Sequence, residues 1–266
     1  MDLDLTNRTA IVTGGSRGIG KAIAKAMARE GADIALIARD MTAAEATRAE
    51  IAAETGRTIR AYRADTGDDE SVRATVKQIA DDFGRIDILV NAAAQPGGQA
   101  PPPKLKDVDD KIFWPDVNVK VMGYLRMARE TAPYMIERGF GRIINISGLA
   151  ARQTGSIVGS IRNVSVAALT ANLADELGPQ GVNVVCLHPG TTRTEKTPGV
   201  IKRQAEARGV SEEEVERQMA GRNSIRRLVT AEEIGDVAAF LASPKSAPLN
   251  GESIGAGGGA PGVIHY

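Results

Sequence analysis

Residues 8–20 read RTAIVTGGSRGIG, an apolar run with β-branched side chains that is followed at once by a glycine-rich turn. The run predicts a buried strand, and the apolar residues from Ile19 up to Gly31 recur at helical spacing. Glycines in such a turn let the backbone adopt positive φ and approach a pyrophosphate, while the helix points free N–H groups at the phosphates. A glycine turn alone also fits an ordinary β-turn, but its place between strand and helix favours a dinucleotide site.

The rest of the chain continues the alternation of strand and helix. Helical patterns cover residues 42–54, 69–83, 119–138, 158–177 and 231–242, and apolar runs lie between them. Such alternation predicts a parallel sheet with helices on both faces. The chain has 266 residues, 42% of them hydrophobic, which suits one large α/β core. We therefore predict a single domain over 1–266, a Rossmann-type doubly wound parallel sheet of about seven strands in three αβα layers.

The glycine spacing is Gly14-x-x-x-Gly18-x-Gly20 rather than the commoner G-x-G-x-x-G. With Thr13 before it, this spacing resembles that of the short-chain dehydrogenase/reductase family. Landmarks along nearly the whole chain carry the resemblance: Asp65 after a strand at 58–64, Asn-Ala-Ala-Ala at 91–94 after a strand at 86–90, Asn118 in DVNVK, strands at 142–147 and 182–187, the Pro189–Gly190 turn with Thr194, and a glycine-rich end at 250–259. The resemblance implies a nicotinamide dinucleotide cofactor.

The resemblance also implies which residues contact that cofactor. In and before the glycine turn they are Thr13, Gly14, Ser16, Arg17, Gly18, Ile19 and Gly20. At the ends of later strands they are Asp65, Thr66, Asn91, Ala92, Ala93, Pro189, Gly190, Thr192 and Thr194.

The choice between NAD(H) and NADP(H) depends on the end of the second predicted strand, 33–38. An acid there hydrogen-bonds the adenosine ribose 2′-OH and repels a 2′-phosphate, whereas arginine accepts the phosphate. The chain has Arg39 followed by Asp40, and Arg17 lies within the glycine turn. We predict that Arg17 and Arg39 bind a 2′-phosphate, so that NADP(H) is favoured over NAD(H). In the alternative interpretation Asp40 binds the ribose and Arg39 is a surface charge.

The resemblance breaks at the proton-transfer residues. Alignment backwards from the Pro189–Gly190 turn puts the family's lysine at Asn163, its tyrosine at Gly159 and its serine at Gly148. Of the four family catalytic residues, only the asparagine that holds a water is retained, at Asn118. A glycine supplies no side chain and an asparagine no positive charge, so we predict that the family's usual mechanism is absent.

We predict that side chains near the vacated positions replace the family's catalytic groups. The candidates are Ser147, Arg162 and Asn163, and Arg162 is the one that stabilises a developing alkoxide electrostatically. Each also has an ordinary interpretation, because serine often caps backbone near strand ends and arginine on a helix usually faces water.

Two segments are predicted to frame a substrate pocket. Residues 95–115 form a proline-rich loop with Trp114 near its end, after the carboxyl end of the fourth strand, where open α/β sheets bind ligands. Residues 195–227 are a charged, helix-forming insertion after the Pro-Gly turn. In the family this segment is a mobile lid; as an isolated pattern it also fits a solvated surface helix.

Charge and cysteine usage exclude several classes of partner. Lys plus Arg and Asp plus Glu both number 33, so no basic field is available to bind nucleic acid. Cys186 is the only cysteine and lies in an apolar strand, and the two histidines, His188 and His265, form no metal-ligand cluster. We predict no metal, no apolar span of membrane length and no secretory leader, hence a soluble cytoplasmic protein. The resemblance implies a homotetramer, or a homodimer, through helices at 104–138 and 158–178.

Three functional hypotheses follow. The leading one is an atypical oxidoreductase acting on a small carbonyl or alcohol, with a non-standard proton donor. The second is a cofactor-binding protein without turnover, which serves as sensor, scaffold or partner subunit. The third is non-redox lyase or hydratase chemistry in the same cleft.

Overall fold

The strand predicted before the glycine turn is an interior strand of a seven-stranded sheet. The computed structural model describes residues 1–95 and 101–261. The strands are β1 (Thr9–Thr13), β2 (Asp33–Ala38), β3 (Ile59–Arg63), β4 (Ile88–Asn91), β5 (Gly141–Ile146), β6 (Val182–Pro189), β7 (Thr192–Arg193), β8 (Val229–Thr230) and β9 (Ser253–Ala256). The large sheet has the order β3-β2-β1-β4-β5-β6-β9 with parallel pairing throughout, which confirms the predicted fold.

Nine α-helices connect these strands in the described part of the chain. They are α1 (Gly18–Arg29), α2 (Met41–Thr55), α3 (Asp69–Phe83), α4 (Asp110–Val117), α5 (Gly123–Glu137), α6 (Ile157–Leu177), α7 (Thr197–Arg208), α8 (Glu212–Ala220) and α9 (Ala231–Ala242). A π-helical turn, Asn118–Met122, joins α4 to α5.

Two apolar clusters hold the helices to the two faces of the sheet. On one face α1, α2 and α9 pack through residues such as Ile23, Ile51 and Ile234. On the other face α3, α5 and α6 pack through residues such as Val76 and Met127. The sheet is therefore covered on both sides, as the predicted three-layer arrangement requires.

The strand order reverses between β1 and β4, which places a crevice outside the carboxyl ends of these two strands. Thr13, the last residue of β1, is paired with Ile37 of β2 on one side and with Asn91 of β4 on the other. In open α/β sheets ligands bind in the crevice at such a reversal. The glycine turn begins at this point, so the fold places the predicted nucleotide site where the topology favours one.

Two segments differ in kind of structure from the sequence prediction. The segment predicted as a loop over 95–115 becomes helical at Asp110, and its residues 96–100 lie outside the described part of the chain. The Asp109 side chain accepts from the Ile112 N–H at 3.0 Å and starts this helix, which contains Pro115. The helix predicted over 119–138 begins within the π turn. A regular helical period in the sequence does not reveal the extra residue of such a turn.

The charged insertion predicted over 195–227 forms a small subdomain on the main sheet. Helices α7 and α8 pack on each other through buried Ile201, Ala205 and Val215. At its base β7 pairs with β8 in a two-stranded parallel sheet, which the sequence analysis did not predict. The helix-forming character of the insertion is confirmed, and its small core makes it more than a solvated surface helix.

Helix α6 corrects one composition-based expectation. The segment Ile157–Gln180 has a mean hydropathy of 1.2 and is long enough to cross a membrane by length and composition, and only 28% of its apolar window is buried. An apolar span of that length was not expected. Its inner face, with Val166, Thr170 and Ala174, is buried in the domain, so the helix belongs to the fold and leaves one apolar face outside.

Candidate active site

The glycine turn has the conformation that a dinucleotide cradle requires. Gly14 and Gly18 have φ of +66° and +54°, values that disfavour side chains. At Gly20 a Cβ atom would lie well inside van der Waals distance of the Gly14 carbonyl oxygen. The first turn of α1 therefore sits directly on the end of β1, and its amides face the crevice.

Thr13 ties this turn to the next strand. Its Oγ1 accepts from the N–H groups of Ala92 and Ala93 at 3.0 and 3.1 Å and lies 3.4 Å from the Val90 carbonyl oxygen. One buried hydroxyl thus joins the carboxyl ends of β1 and β4, the two sides of the crevice. The structure brings together Thr13, Ala92 and Ala93, as the sequence analysis predicted.

Several predicted cofactor residues use their side chains within the fold. The Asn91 amide is fully buried and donates to Asn145 Oδ1 at 2.9 Å. Asp65 Oδ1 accepts from the Gly67 N–H at 2.9 Å, and the carbonyl of buried Thr66 accepts from Arg126 at 3.2 Å. The Asn91 and Asp65 side chains and the Thr66 carbonyl are thus engaged within the fold.

The Pro-Gly turn lies across the crevice from the glycine turn. Pro189 ends β6, and a Cβ atom at Gly190 would lie 2.8 Å from Gly257 Cα, so the turn packs against the glycine-rich end of the chain. Thr192 Oγ1 donates to the Gly190 carbonyl at 3.0 Å. The Thr194 N–H donates to Thr197 Oγ1 at 2.8 Å, which fixes the start of α7.

Glu195 brings a carboxylate to the start of α1. Its Oε2 accepts from the Gly18 N–H at 3.2 Å, where a helix N-terminus favours negative charge. The phosphates of a dinucleotide favour the same amides. Glu195 therefore competes for the cradle in this conformation, a contact that the sequence analysis missed because residues 18 and 195 are remote in the chain.

At the edge that selects the nucleotide, Arg17 forms an ion pair with Asp40. The Asp40 carboxylate also accepts from the Ala43 N–H at 3.2 Å and caps α2. Arg39, which directly follows β2, is exposed. The residues of both interpretations made from the sequence lie at this edge. The acid, Asp40, is present and is paired with Arg17.

The vacated tyrosine position lies in the first turn of α6. The Ser156 hydroxyl caps this helix by accepting from the Gly159 N–H at 3.0 Å. A Cβ atom at Gly159 would lie 2.7 Å from Ser156 Oγ, so any side chain there must displace the cap. The vacated serine position, Gly148, has extended backbone, and its Cβ would lie 3.5 Å from Asn163 Oδ1.

Ser147 and Asn163, both predicted as replacement groups, form one buried cluster with Lys120. Ser147 Oγ donates to the Asn163 carbonyl at 2.9 Å, and Asn163 Nδ2 donates to the Gly159 carbonyl at 2.7 Å. Lys120 Nζ donates to Asn163 Oδ1 at 2.8 Å and to the Ser147 carbonyl at 2.9 Å. An amine therefore lies against the side chain that replaces the family's lysine.

Sequence reasoning missed Lys120 and selected Asn118, two residues earlier. Asn118 Nδ2 donates to the Gly67 carbonyl at 3.0 Å, a contact at the rim and away from the Ser147–Asn163 cluster. A signal was present, since Lys120, Tyr124 and Met127 recur at helical spacing and all three are buried. A lysine on the buried face of a helix is rare enough to mark a site.

Arg162 has a different partner from the one predicted. It forms a half-buried ion pair with Asp116, which joins α6 to α4. A guanidinium held by a carboxylate is a poor source of free positive charge for an alkoxide. The ion pair packs α4 against α6, and the role of Arg162 in stabilising an alkoxide stays a prediction.

Burial shifts the pKa values of the nearby Cys186 and His188. Burial raises the pKa of the Cys186 thiol to about 11, so the thiol stays protonated at neutral pH, as expected for a buried small residue. Burial also lowers the pKa of His188, whose Nδ1 lies 3.1 Å from the Gly148 carbonyl oxygen. Among residues 1–95 and 101–261 there is no group of three His, Cys, Asp or Glu side chains that could bind a metal.

The chain is similar to known reductases over nearly its whole length. A family model described as enoyl-(acyl carrier protein) reductase matches residues 14–260. The short-chain reductase protein NovJ of Streptomyces niveus is 34% identical over 95% of this chain and 93% of its own length.

Solved structures with bound cofactors also resemble the chain. L-sorbose reductase from Gluconobacter frateurii, solved with NADPH and L-sorbose, has a TM-score of 0.91 at 26% identity and covers 99% of this chain and 100% of its own. An NAD⁺-bound xylitol dehydrogenase has a TM-score of 0.87 at 28% identity, over 96% of this chain and 100% of its own.

The nucleotide edge generates a prediction about Arg39. Arg39→Ala should weaken NADP(H) binding by about tenfold or more and leave NAD(H) binding nearly unchanged, because only NADP(H) carries the 2′-phosphate. Calorimetric titration of both nucleotides measures this. Arg48→Ala, an exposed arginine on α2 that pairs with Glu45, is the matched control. An equal loss for both nucleotides would show that Arg39 is only a surface charge.

The contact between Glu195 and Gly18 generates a second prediction. Glu195→Gln should tighten the binding of either dinucleotide several-fold, since it removes a negative charge that competes with the phosphates. Glu206→Gln, at an exposed position of α7, serves as control because it removes the same charge without removing the Glu195–Gly18 contact. Unchanged or weaker nucleotide binding in Glu195→Gln would contradict the competition.

Proposed function

Because the chain belongs to the short-chain dehydrogenase/reductase family, we propose that it is an NADP(H)-preferring oxidoreductase that interconverts a small carbonyl compound and its alcohol with a non-standard proton donor. The observation that carries the proposal is the dinucleotide cradle beside a buried polar cluster. In this cluster Gly159 and Asn163 occupy the positions of the family's tyrosine and lysine. The family relationship and the oxidoreductase class rest on the comparisons; the substrate and the proton donor are proposed.

The residues of the cradle fit a nicotinamide dinucleotide. Because Gly20 approaches Gly14 closely, only backbone lines the proposed pyrophosphate position. The amides of α1 provide the hydrogen-bond donors there. Ala92 and Ala93 pack against Gly14, and Thr194 lies next to Gly18. When bound, this cofactor supplies or takes up the hydride that interconverts carbonyl and alcohol.

Support for NADP(H) is the exposed Arg39 at the nucleotide edge, where Arg17 is paired with Asp40, and the NADPH of the similar L-sorbose reductase. The NAD⁺-bound xylitol dehydrogenase shows that the same fold also accepts the other nucleotide. Arg39 is exposed at the end of β2, where we propose that it binds the 2′-phosphate.

The chain's own residues then determine how a substrate oxygen is handled. No side chain occupies Gly148 or Gly159, so the family's donors are absent from these positions, which are flanked by the Asn163 amide and the Ser156 hydroxyl. Loss of a positioned general acid or base costs on the order of 10²- to 10⁴-fold in rate, while proximity to the cofactor is retained. We therefore propose slow or altered turnover, with the polar cluster of Ser147, Asn163 and Lys120 replacing the missing apparatus.

A second candidate, cofactor binding without turnover, is favoured by the same two glycines, since a sensor or scaffold needs the cradle and no proton donor. Lyase or hydratase chemistry is a weaker alternative, supported only by the lack of a side chain at Gly159. A small molecule remains the proposed ligand, and a cytoplasmic location and the absence of nucleic-acid partners stay predictions.

We also propose that the protein is a homotetramer or homodimer through α4 and α6. Large apolar side chains on this side of the molecule, Trp114, Met122, Ile157, Ile161 and Val164, are between 40% and 57% exposed. Contiguous apolar surface of this kind marks interfaces. Sedimentation velocity tests the proposal, and a 28.0 kDa monomer at micromolar concentration would contradict it.

The redox proposal predicts the effect of rebuilding the family's catalytic residues. The rebuilt variant combines Gly148→Ser, Gly159→Tyr and Asn163→Lys with Lys120→Asn, because two ammonium groups within hydrogen-bond reach of one another would repel. It should oxidise NADPH with a carbonyl panel at least about tenfold faster than the parent, as a general acid returns. The measurement is the loss of NADPH absorbance, with Gly148→Ser alone as control.

Two results would change the account. A parent that turns over at ordinary enzyme rates, on the order of 1 to 10³ per second, would show that the missing residues do not limit it. Cofactor binding without oxidation in both parent and rebuilt variant would favour the sensor or scaffold.

A further inference from the structure

We propose that Lys120 is a positioning residue of this site: from the π turn it supplies, through Asn163, the positive charge that α6 lacks. The inference rests on the proposed function and assigns a definite role to one member of its polar cluster. It concerns the chain's own groups and is testable without turnover.

Three elements converge on the amine. Asn163 comes from α6, Ser147 follows β5, and Lys120 comes from the π turn before α5. The Nζ atom lies 2.8 Å from Asn163 Oδ1 and 2.9 Å from the Ser147 carbonyl oxygen. π turns occur frequently at functional sites, and here the irregular turn carries the lysine that meets the vacated position.

The amine fixes the orientation of the Asn163 amide. An ammonium group only donates, so the oxygen of the amide must face Lys120 and its nitrogen must face the opposite way. The nitrogen has two N–H donors, and the Gly159 carbonyl takes one at 2.7 Å. Positive charge on the oxygen side polarises the amide and strengthens the second N–H as a donor to a ligand oxygen. In this way Lys120 acts on a ligand without touching it.

The burial of Lys120 supports a role beyond stability. Only 5% of the residue is exposed, and both of its hydrogen-bond acceptors are neutral oxygens. A buried amine without a carboxylate partner costs free energy that an apolar side chain of similar length would not. The position is thus poorly explained by packing alone.

Several charged or titratable groups act on Lys120 from the surrounding elements. Burial has the largest effect and lowers its pKa to about 7; Arg162 on α6 adds to the lowering, while Cys186 on β6 and Asp116 on α4 oppose it. Asp116 is itself paired with Arg162, and His188, also on β6, has its own pKa lowered in part by Lys120. The ammonium form is present below neutral pH and is lost as the pH rises.

This sign gives a test that is independent of catalysis. The pKa of Lys120 is lower in the folded state than in the unfolded state, so the unfolded chain binds the extra proton between about pH 7 and pH 10. The free energy of unfolding should therefore rise with pH across this window, and Lys120→Met should remove that rise. In lysine labelled with ¹³C at Cε, one resonance should titrate near neutral pH and be missing from Lys120→Met.

The functional arm uses NADPH as the probe and fluorescence to follow binding. Affinity in the parent should fall several-fold from about pH 6 to about pH 9, as expected when a cation near the nicotinamide side loses its proton. Lys120→Met should bind weakly at all pH values with a flat profile, whereas Lys120→Arg should retain tight binding with a flat profile. The exchange variant Lys120→Asn with Asn163→Lys returns the charge to α6 and should recover affinity over Lys120→Met at low pH.

Lys77→Met is the matched control, because Lys77 is an exposed lysine on α3 that pairs with Asp81. It should leave the lysine resonance near neutral pH and the NADPH profile unchanged. A parent in which every lysine titrates above about pH 9, or a Lys120→Met variant with the parent's NADPH profile, would overturn the inference. Absence of turnover with this titration intact would count against the proposed function alone.

Discussion

The close approach of Gly20 to the Gly14 carbonyl is the constraint on which the nucleotide site depends. Because no side chain fits between them, the first turn of α1 sits on the end of β1 and its amides open onto the crevice. Thr13 then ties this corner to Ala92 and Ala93 at the end of β4. The reversal of strand order at the same place turns a local turn into a binding crevice.

The other half of the site depends on a buried polar cluster in place of the missing residues. Gly148 and Gly159 remove two side chains, and the remaining groups form a chain from Ser147 through Asn163 to Lys120. Hydrogen bonds at low dielectric strengthen one another, so the cluster orients its members firmly. A charge that the family carries on α6 is thereby present on the opposite side of the same amide.

The fold was predictable because its signals are local and repeated. Helix α3 and strand β2 have the predicted bounds, since Asp68 and Gly84 mark the ends of the helix and the strand is a continuous apolar run. The π turn and the pairing of β7 with β8 were not predictable, because each depends on tertiary contacts that no sequence period reports. In the site, the vacated positions followed from alignment, but the partners of Arg162 and Glu195 lie on remote segments. Lys120 was within reach of the helical period and was missed in favour of Asn118.

The central claim is that an intact dinucleotide site carries hydride chemistry without the tyrosine and lysine. Stoichiometric protein, NADPH deuterated at its transferable position and a panel of small carbonyl compounds test it in a single turnover followed by mass spectrometry. The account predicts an alcohol with one deuterium on the carbinol carbon. Tight NADPH binding with no labelled alcohol from any compound, while the rebuilt variant transfers deuterium from the same panel, would contradict it.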